Sequence, residues 1–172
     1  LDEGGGSGLD LTSCPASTTS TGEGVDLVVE ATCDDLAGNA GTVTGAHFLG
    51  TTDNQSVEIR ANDLRVLLIS PSNGAPNVVL GAAQNAISNG ARGASILGGS
   101  NNTIATLSDY STIAGGRGNE IRTNATDSVI GGGRDNRLRG DQYSALISGG
   151  YANLIQGGGS SQGGSTIGGG VD

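Results

Sequence analysis

The sequence predicts an all-β protein, a β-solenoid (β-roll) of about six coils preceded by a small β cap region. Three observations carry that reading. A β-branched residue returns every 17 residues through the second half of the chain. Glycine supplies 33 of the 172 residues, while the aromatics are only Phe48, Tyr110, Tyr143 and Tyr151. Ile, Val and Leu nevertheless recur at fixed spacing, which separates the chain from disordered sequences that lack them. Aromatic side chains bury the most area per residue, so an ordinary two-layer core has little to build on here. Collagen is excluded because Gly does not recur at every third residue and Pro appears three times. Stability must come from repetition.

Residues 1–8, Leu-Asp-Glu-Gly-Gly-Gly-Ser-Gly, read as a flexible or assembly lead. Residues 9–76 read as the β cap region. Within it Val25–Ala31 alternates with period two, as a strand does, and the stretch 13–24 is a Ser/Thr-rich loop. Cys14 and Cys33 are the only cysteines and have no histidine or further cysteine for a zinc site. A disulfide between them would close a 20-residue loop and add about 3 kcal/mol in the chain-entropy description; two buried thiols are the other reading. A disulfide implies an oxidising, exported setting. From Ser56, two short strands, 57–60 and 64–70, flank Ala61-Asn62-Asp63 as a hairpin. The turn Pro71-Ser72-Asn73-Gly74-Ala75-Pro76 closes this region.

Residues 77–172 form the solenoid. The first β-branched residue stands at Val79, Ile96, Ile113, Ile130 and Ile147, and again at Ile167 after a longer step that holds a Gly/Ser insert. Asparagine recurs at Asn85, Asn102, Asn119, Asn136 and Asn153, and a second aliphatic at Ile87, Ile104, Ile121, Leu138 and Ile155. Glycine pairs separate strand from asparagine: Gly98-Gly99, Gly115-Gly116, Gly132-Gly133 and Gly149-Gly150. Seventeen residues are too few for the common two-helix repeats, and paired Gly with β-branched residues opposes helix. Two short strands and two turns per coil fit. The glycines then supply tight turns, and the asparagines stack from coil to coil with each side chain bonding its neighbour. About six coils rise roughly 28 Å at one strand spacing each. The sixth copy stops at Asp172 in mid-coil, so the expectation is an unpaired edge open to a further subunit or further chain.

Charge divides the chain. Residues 1–76 hold eleven acids against Arg60 and Arg65, whereas 77–172 hold six acids and six arginines. A neutral repeat with scattered arginines has no basic stripe, which argues against nucleic acid. No apolar run approaches the roughly 20 residues of a membrane span.

Four stretches stand out around residues 37–81: Leu36-Ala37-Gly38-Asn39-Ala40-Gly41-Thr42, His47 to Gln55, Val57-Glu58-Ile59-Arg60-Ala61-Asn62 with Arg65-Val66, and Asn73 to Gly81. Together they resemble a module of bacterial and phage tail-fibre-like proteins. In that family the module leads into Gly-Gly and Asn repeats similar to the heads of trimeric autotransporter adhesins, which are three-chain β-rolls. The resemblance covers about 37–172 and implies trimerisation. One departure is a repeat locked at 17; another is the expectation that no chaperone or anchor domain follows it.

Chemistry is hard to find. His47 is the only histidine and stands beside Phe48 without a nucleophile motif. Asp34-Asp35 are adjacent and so point to different sides. A calcium β-roll would need a period of nine and a repeated acid. An ice-binding face would need ranked threonines, yet the position before the first Ile reads Val78, Ser95, Thr112, Val129, Leu146, Thr166. Asn-x-Ser/Thr triplets occur at Asn54, Asn101 and Asn124. The expectation is therefore no catalytic residues, no metal and no cofactor. The reading is a structural subunit of an extracellular or cell-surface fibre, not an enzyme, whose partners are copies of itself in a trimer or a head-to-tail filament. The alternative is an adhesive or receptor-binding head, with a cell-surface or glycan ligand on the loops 88–94, 105–110, 122–127, 139–144 and 156–164. Those loops carry Arg92, Tyr110, Arg122, Arg139 and Tyr143.

Overall fold

A computed structural model describes residues 49–157 and 162–171. Cys14, Cys33, His47, Phe48, Asp34-Asp35 and the strand expected at 25–31 lie outside the described residues.

The chain enters through a hairpin, β1 (Val57–Ala61) and β2 (Leu64–Ser70). Asn62 and Asp63 join them with φ of 50° and 58°. Positive φ at both central residues gives the turn whose twist matches that of the flanking strands, and Asn and Asp tolerate it. After the 71–76 turn, strand β3 (Asn77–Leu80) pairs antiparallel with β2, matching Leu68 to Val79 and Ile69 to Val78.

From β3 onward the chain coils as a β-solenoid of about five turns, and a sixth begins. One strand of each coil joins a long sheet: β5 (Ser95–Ile96), β7 (Thr112–Ile113), β9 (Val129–Ile130), β12 (Leu146–Ile147) and β15 (Thr166–Ile167) follow β3. The other strand joins a second sheet made of β4 (Ala86–Ile87), β6 (Thr103–Ile104), β8 (Glu120–Ile121), β10 (Arg137–Leu138) and β13 (Leu154–Ile155). All pairs between coils are parallel and in register, Ile96 on Ile113 and Ile104 on Ile121 for example. Each coil bonds the next through its backbone. Thr112 N–H donates to Ser128 O at 2.9 Å, and Glu120 N–H to Asn136 O at 2.9 Å. With the hairpin included, the long sheet has eight strands.

The sequence predicts variable loops on the third side, which also holds a short parallel pair of its own. Strand β11 (Gln142–Tyr143) lies beside β14 (Gln162–Gly163), so the lengthened last step still returns to register.

The interior is narrow. Ile96, Ile113, Ile130 and Ile147 from one sheet and Ile104, Ile121 and Leu138 from the other are fully buried. Small residues fill the third side, Ala91, Ala94, Ala125 and Ala145 among them. Each coil thus buries two large aliphatics, worth about 1.5–3 kcal/mol apiece, and the rest of its cohesion must be polar.

Candidate functional site

The asparagine column supplies that cohesion. Asn85, Asn102, Asn119 and Asn136 are almost completely buried. The Oδ1 of each accepts from the backbone N–H of the asparagine one coil on: Asn119 N–H to Asn102 at 3.0 Å, and Asn136 N–H to Asn119 at 3.0 Å. The Nδ2 of Asn119 donates to Gly115 O at 2.9 Å in its own coil and to Gly133 O at 3.1 Å in the next. The expected bonding of amide to amide gives way to bonding of amide to backbone. Only Asn136 and Asn153 also donate to the preceding side chain, at 3.1 and 2.9 Å. The physical reason lies in the turn. The Gly-Gly corner leaves carbonyls pointing inward, and a buried carbonyl without a donor is costly. A primary amide has the two donors needed to serve two coils at once.

The glycine pairs divide their labour. At the second of each pair φ is 77° at Gly99, 85° at Gly116, 83° at Gly133 and 97° at Gly150. A Cβ there would overlap the carbonyl oxygen of the corresponding glycine in the next coil. At Gly98, Gly115, Gly132 and Gly149 a Cβ would meet nothing within 4 Å. Close approach of coils therefore rests on one glycine in each pair.

Two further devices escaped the sequence reading. A second ladder runs down the third side. Asn77 Oδ1 accepts from Ala94 N–H at 2.9 Å, Ser111 Oγ accepts from Ser128 N–H at 3.1 Å, and Ser128 Oγ accepts from Ala145 N–H at 3.2 Å. Its signal was present as small or amide residues at 77, 94, 111, 128 and 145, one period apart. The other device is Arg65 on β2. Its guanidinium donates to Asn85 O at 2.8 Å and to Ala83 O at 3.0 Å. Asn85 O is the first-coil counterpart of Asn102 O and Asn119 O, which accept from an N–H of the preceding coil, so Arg65 stands in there for a coil that the first one lacks.

The outside differs from face to face. On the long sheet, strand alternation turns outward the residues on either side of each buried aliphatic. One row reads Val57, Ile69, Val78, Ser95, Thr112, Val129, Leu146, Thr166. The other reads Ile59, Leu67, Leu80, Leu97, Ala114, Gly131, Ser148, Gly168. Neither row contains a charge. Leu97 is 52% exposed and Ile59 44%.

The second sheet and the glycine corner carry charges instead. Arg117 and Arg134 follow one another at the corner, where the backbone bridges from coil to coil and on to Tyr151. Arg134 Cζ lies 4.4 Å from the Tyr151 ring centroid. On the sheet, Glu120 bonds Arg122 at 2.9 Å and faces Arg137 of the next coil at 3.7 Å.

The third side has Arg92 paired with Asp109 at 2.6 Å, a bond that raises the guanidinium pKa above its ordinary value. Tyr110 and Tyr143 are exposed there. Of the residues expected on these loops, Arg122 and Arg139 belong rather to the rows flanking β8 and β10. Of the Asn-x-Ser/Thr triplets, Asn54 and Asn101 are exposed, while Asn124 donates to Asp141 at 2.6 Å.

Among the described residues no three or more His, Cys, Asp and Glu side chains gather as metal ligands would, and no helix is long and apolar enough to cross a membrane. No protein-family model, no curated protein and no solved structure matches the chain.

Proposed function

We propose that this chain is a structural subunit of an extracellular fibre or filament, and that it associates with copies of itself through the outer face of the long sheet. The carrying observation is the pair of uncharged rows on that face, sixteen consecutive outward positions that hold nine Val, Ile and Leu residues. An apolar strip of that length on a chain carrying a net charge of −9 is a candidate interface. A second copy fits it better than a globular partner would. Both copies present the same uncharged rows, and six of the nine aliphatics stand on β1, β2 and β3, so the aliphatic contact between copies is densest at that end of the strip. The parallel trimer implied by the adhesin-head resemblance is one closed solution of this kind.

The native mass of the purified full chain, measured by light scattering beside electron micrographs, tests the reading. Particles of several 16.8 kDa chains, elongated along the coil axis, are expected. A monodisperse monomer at micromolar concentration would overturn it.

A further inference from the structure

Along the sequence the arginines of the repeat look scattered, but coiling gathers them. Arg117 and Arg134 are one period apart, and so are Arg122 and Arg139; Arg137 takes the place in its coil that Glu120 has in the one before. Five of the six arginines of residues 77–172 therefore stand on one side, over the second sheet and the glycine corner. The acids among them are Glu120 and Asp135, which leaves that side three charges positive. The third side, with Arg92 against Asp109, Asp127 and Asp141, is negative, and the long sheet is neutral. A formally neutral repeat is thus polarised by face.

We infer that this arginine face binds an acidic polysaccharide through its carboxylates, a role beyond self-assembly and on a different surface from it. Three features point to that chemistry. Side chains of Arg122, Arg134 and Arg137 remain 45–49% exposed although each has an acidic neighbour. Glu120, Asp135 and the Tyr151 ring fix the guanidinium planes and leave donors free, and a fixed guanidinium fork matches a carboxylate in bidentate fashion. The rows advance by one coil, roughly 4.8 Å, so successive guanidiniums meet a linear polymer that bears one carboxylate per sugar. Exposed Asn101 and Thr103 beside them offer hydrogen bonds to sugar hydroxyls.

Duplex nucleic acid fits less well. Its binders commonly neutralise about 6–10 phosphates, and reading its bases requires an element that enters a groove; a flat face with three excess charges supplies neither. The chain as a whole is acidic, so attraction to a polyanion is local to the face and confined to about one Debye length, near 8 Å at physiological salt.

The test uses the full chain on immobilised polygalacturonate, with neutral dextran and duplex DNA as comparison surfaces. Binding to polygalacturonate but not dextran is expected, weakening as salt rises. The combined exchange Arg117→Gln, Arg122→Gln and Arg134→Gln should weaken it more than tenfold. Arg117 and Arg122 make no side-chain hydrogen bond to another coil and Arg134 reaches the next one only through the Tyr151 ring, so an unchanged circular dichroism spectrum and melting temperature would certify the fold. Arg92→Gln, on the third side, should leave binding within twofold, and Leu97→Arg should retain it even if assembly is lost. No binding to polygalacturonate, equal binding by the triple variant, or a preference for duplex DNA would each overturn the inference.

Discussion

The two sheets of the solenoid share one inside and have opposite outsides. Each contributes an unbroken column of buried Ile, Val or Leu, and both hang on the same asparagine ladder. Yet the long sheet turns sixteen uncharged positions outward, while the second sheet turns out Glu120, Arg122, Arg137 and Arg139. The difference teaches where a repeat is constrained. Inside, every coil meets the same neighbours, so the period is enforced at Ile, at the second Gly and at Asn. Outside, the coil dictates few residues, Gly131 against Ser148 O being one, so a face kept free of charge over eight strands calls for another explanation. Contact with a second copy is the one proposed above.

The comparison breaks most completely when the shared inside is damaged. Gly116→Ala places a methyl on the carbonyl oxygen of Gly133, which already accepts from Arg117 N–H at 2.9 Å, and forces φ of 85° on alanine. A loss of more than about 4 kcal/mol is expected, read as a collapsed denaturation midpoint, with both faces lost together. Asn119→Ala comes next. It leaves Asn136 N–H, Gly115 O and Gly133 O each short of a partner. Buried groups left this way cost about 1–3 kcal/mol each, partly relieved by bonds that remain, so about 3 kcal/mol should be lost in chemical denaturation.

Smaller changes separate the faces. Leu97→Arg puts a charge on the uncharged rows at a half-exposed site. It should shift monomer stability by no more than about 0.5 kcal/mol, while the concentration needed for assembly rises at least tenfold in sedimentation. Gly149→Ala should do least of all. A Cβ there meets nothing within 4 Å and the backbone has no positive φ. A change within about 0.5 kcal/mol is expected, although the residue belongs to the same Gly-Gly motif as Gly116.

Much of this was legible in the sequence, and what was not has physical causes. The solenoid, its period, both aliphatic columns and the asparagine column follow from spacing alone, because each rests on a residue type repeated at least five times. The hairpin was legible too, one residue short in β1, because Asn62-Asp63 is a strong local turn signal. Single-occurrence features were not. Arg65 reaches from β2 to the carbonyls of residues 83 and 85 in the first coil, and no local pattern announces that contact. The Ser111–Ser128 ladder is masked because its column reads Asn77, Ala94, Ser111, Ser128, Ala145, so the chemistry changes from coil to coil while the residues stay small. The partner of the asparagine amides was misjudged for a similar reason: spacing brings the asparagines together, but only backbone geometry reveals that the nearest acceptors are glycine carbonyls. The gathering of the arginines needed the coil itself, since a linear reading measures net charge and not the face on which it falls.

Self-association through the uncharged face is tested most directly by measuring mass at equilibrium for a matched pair of variants, Leu97→Arg on the long sheet and Thr103→Arg on the second sheet. Both sites are exposed, and both substitutions add the same charge to the same chain. The account predicts that Thr103→Arg sediments as the wild-type multimer and that Leu97→Arg falls to the 16.8 kDa monomer. Equal masses for the two variants would contradict it.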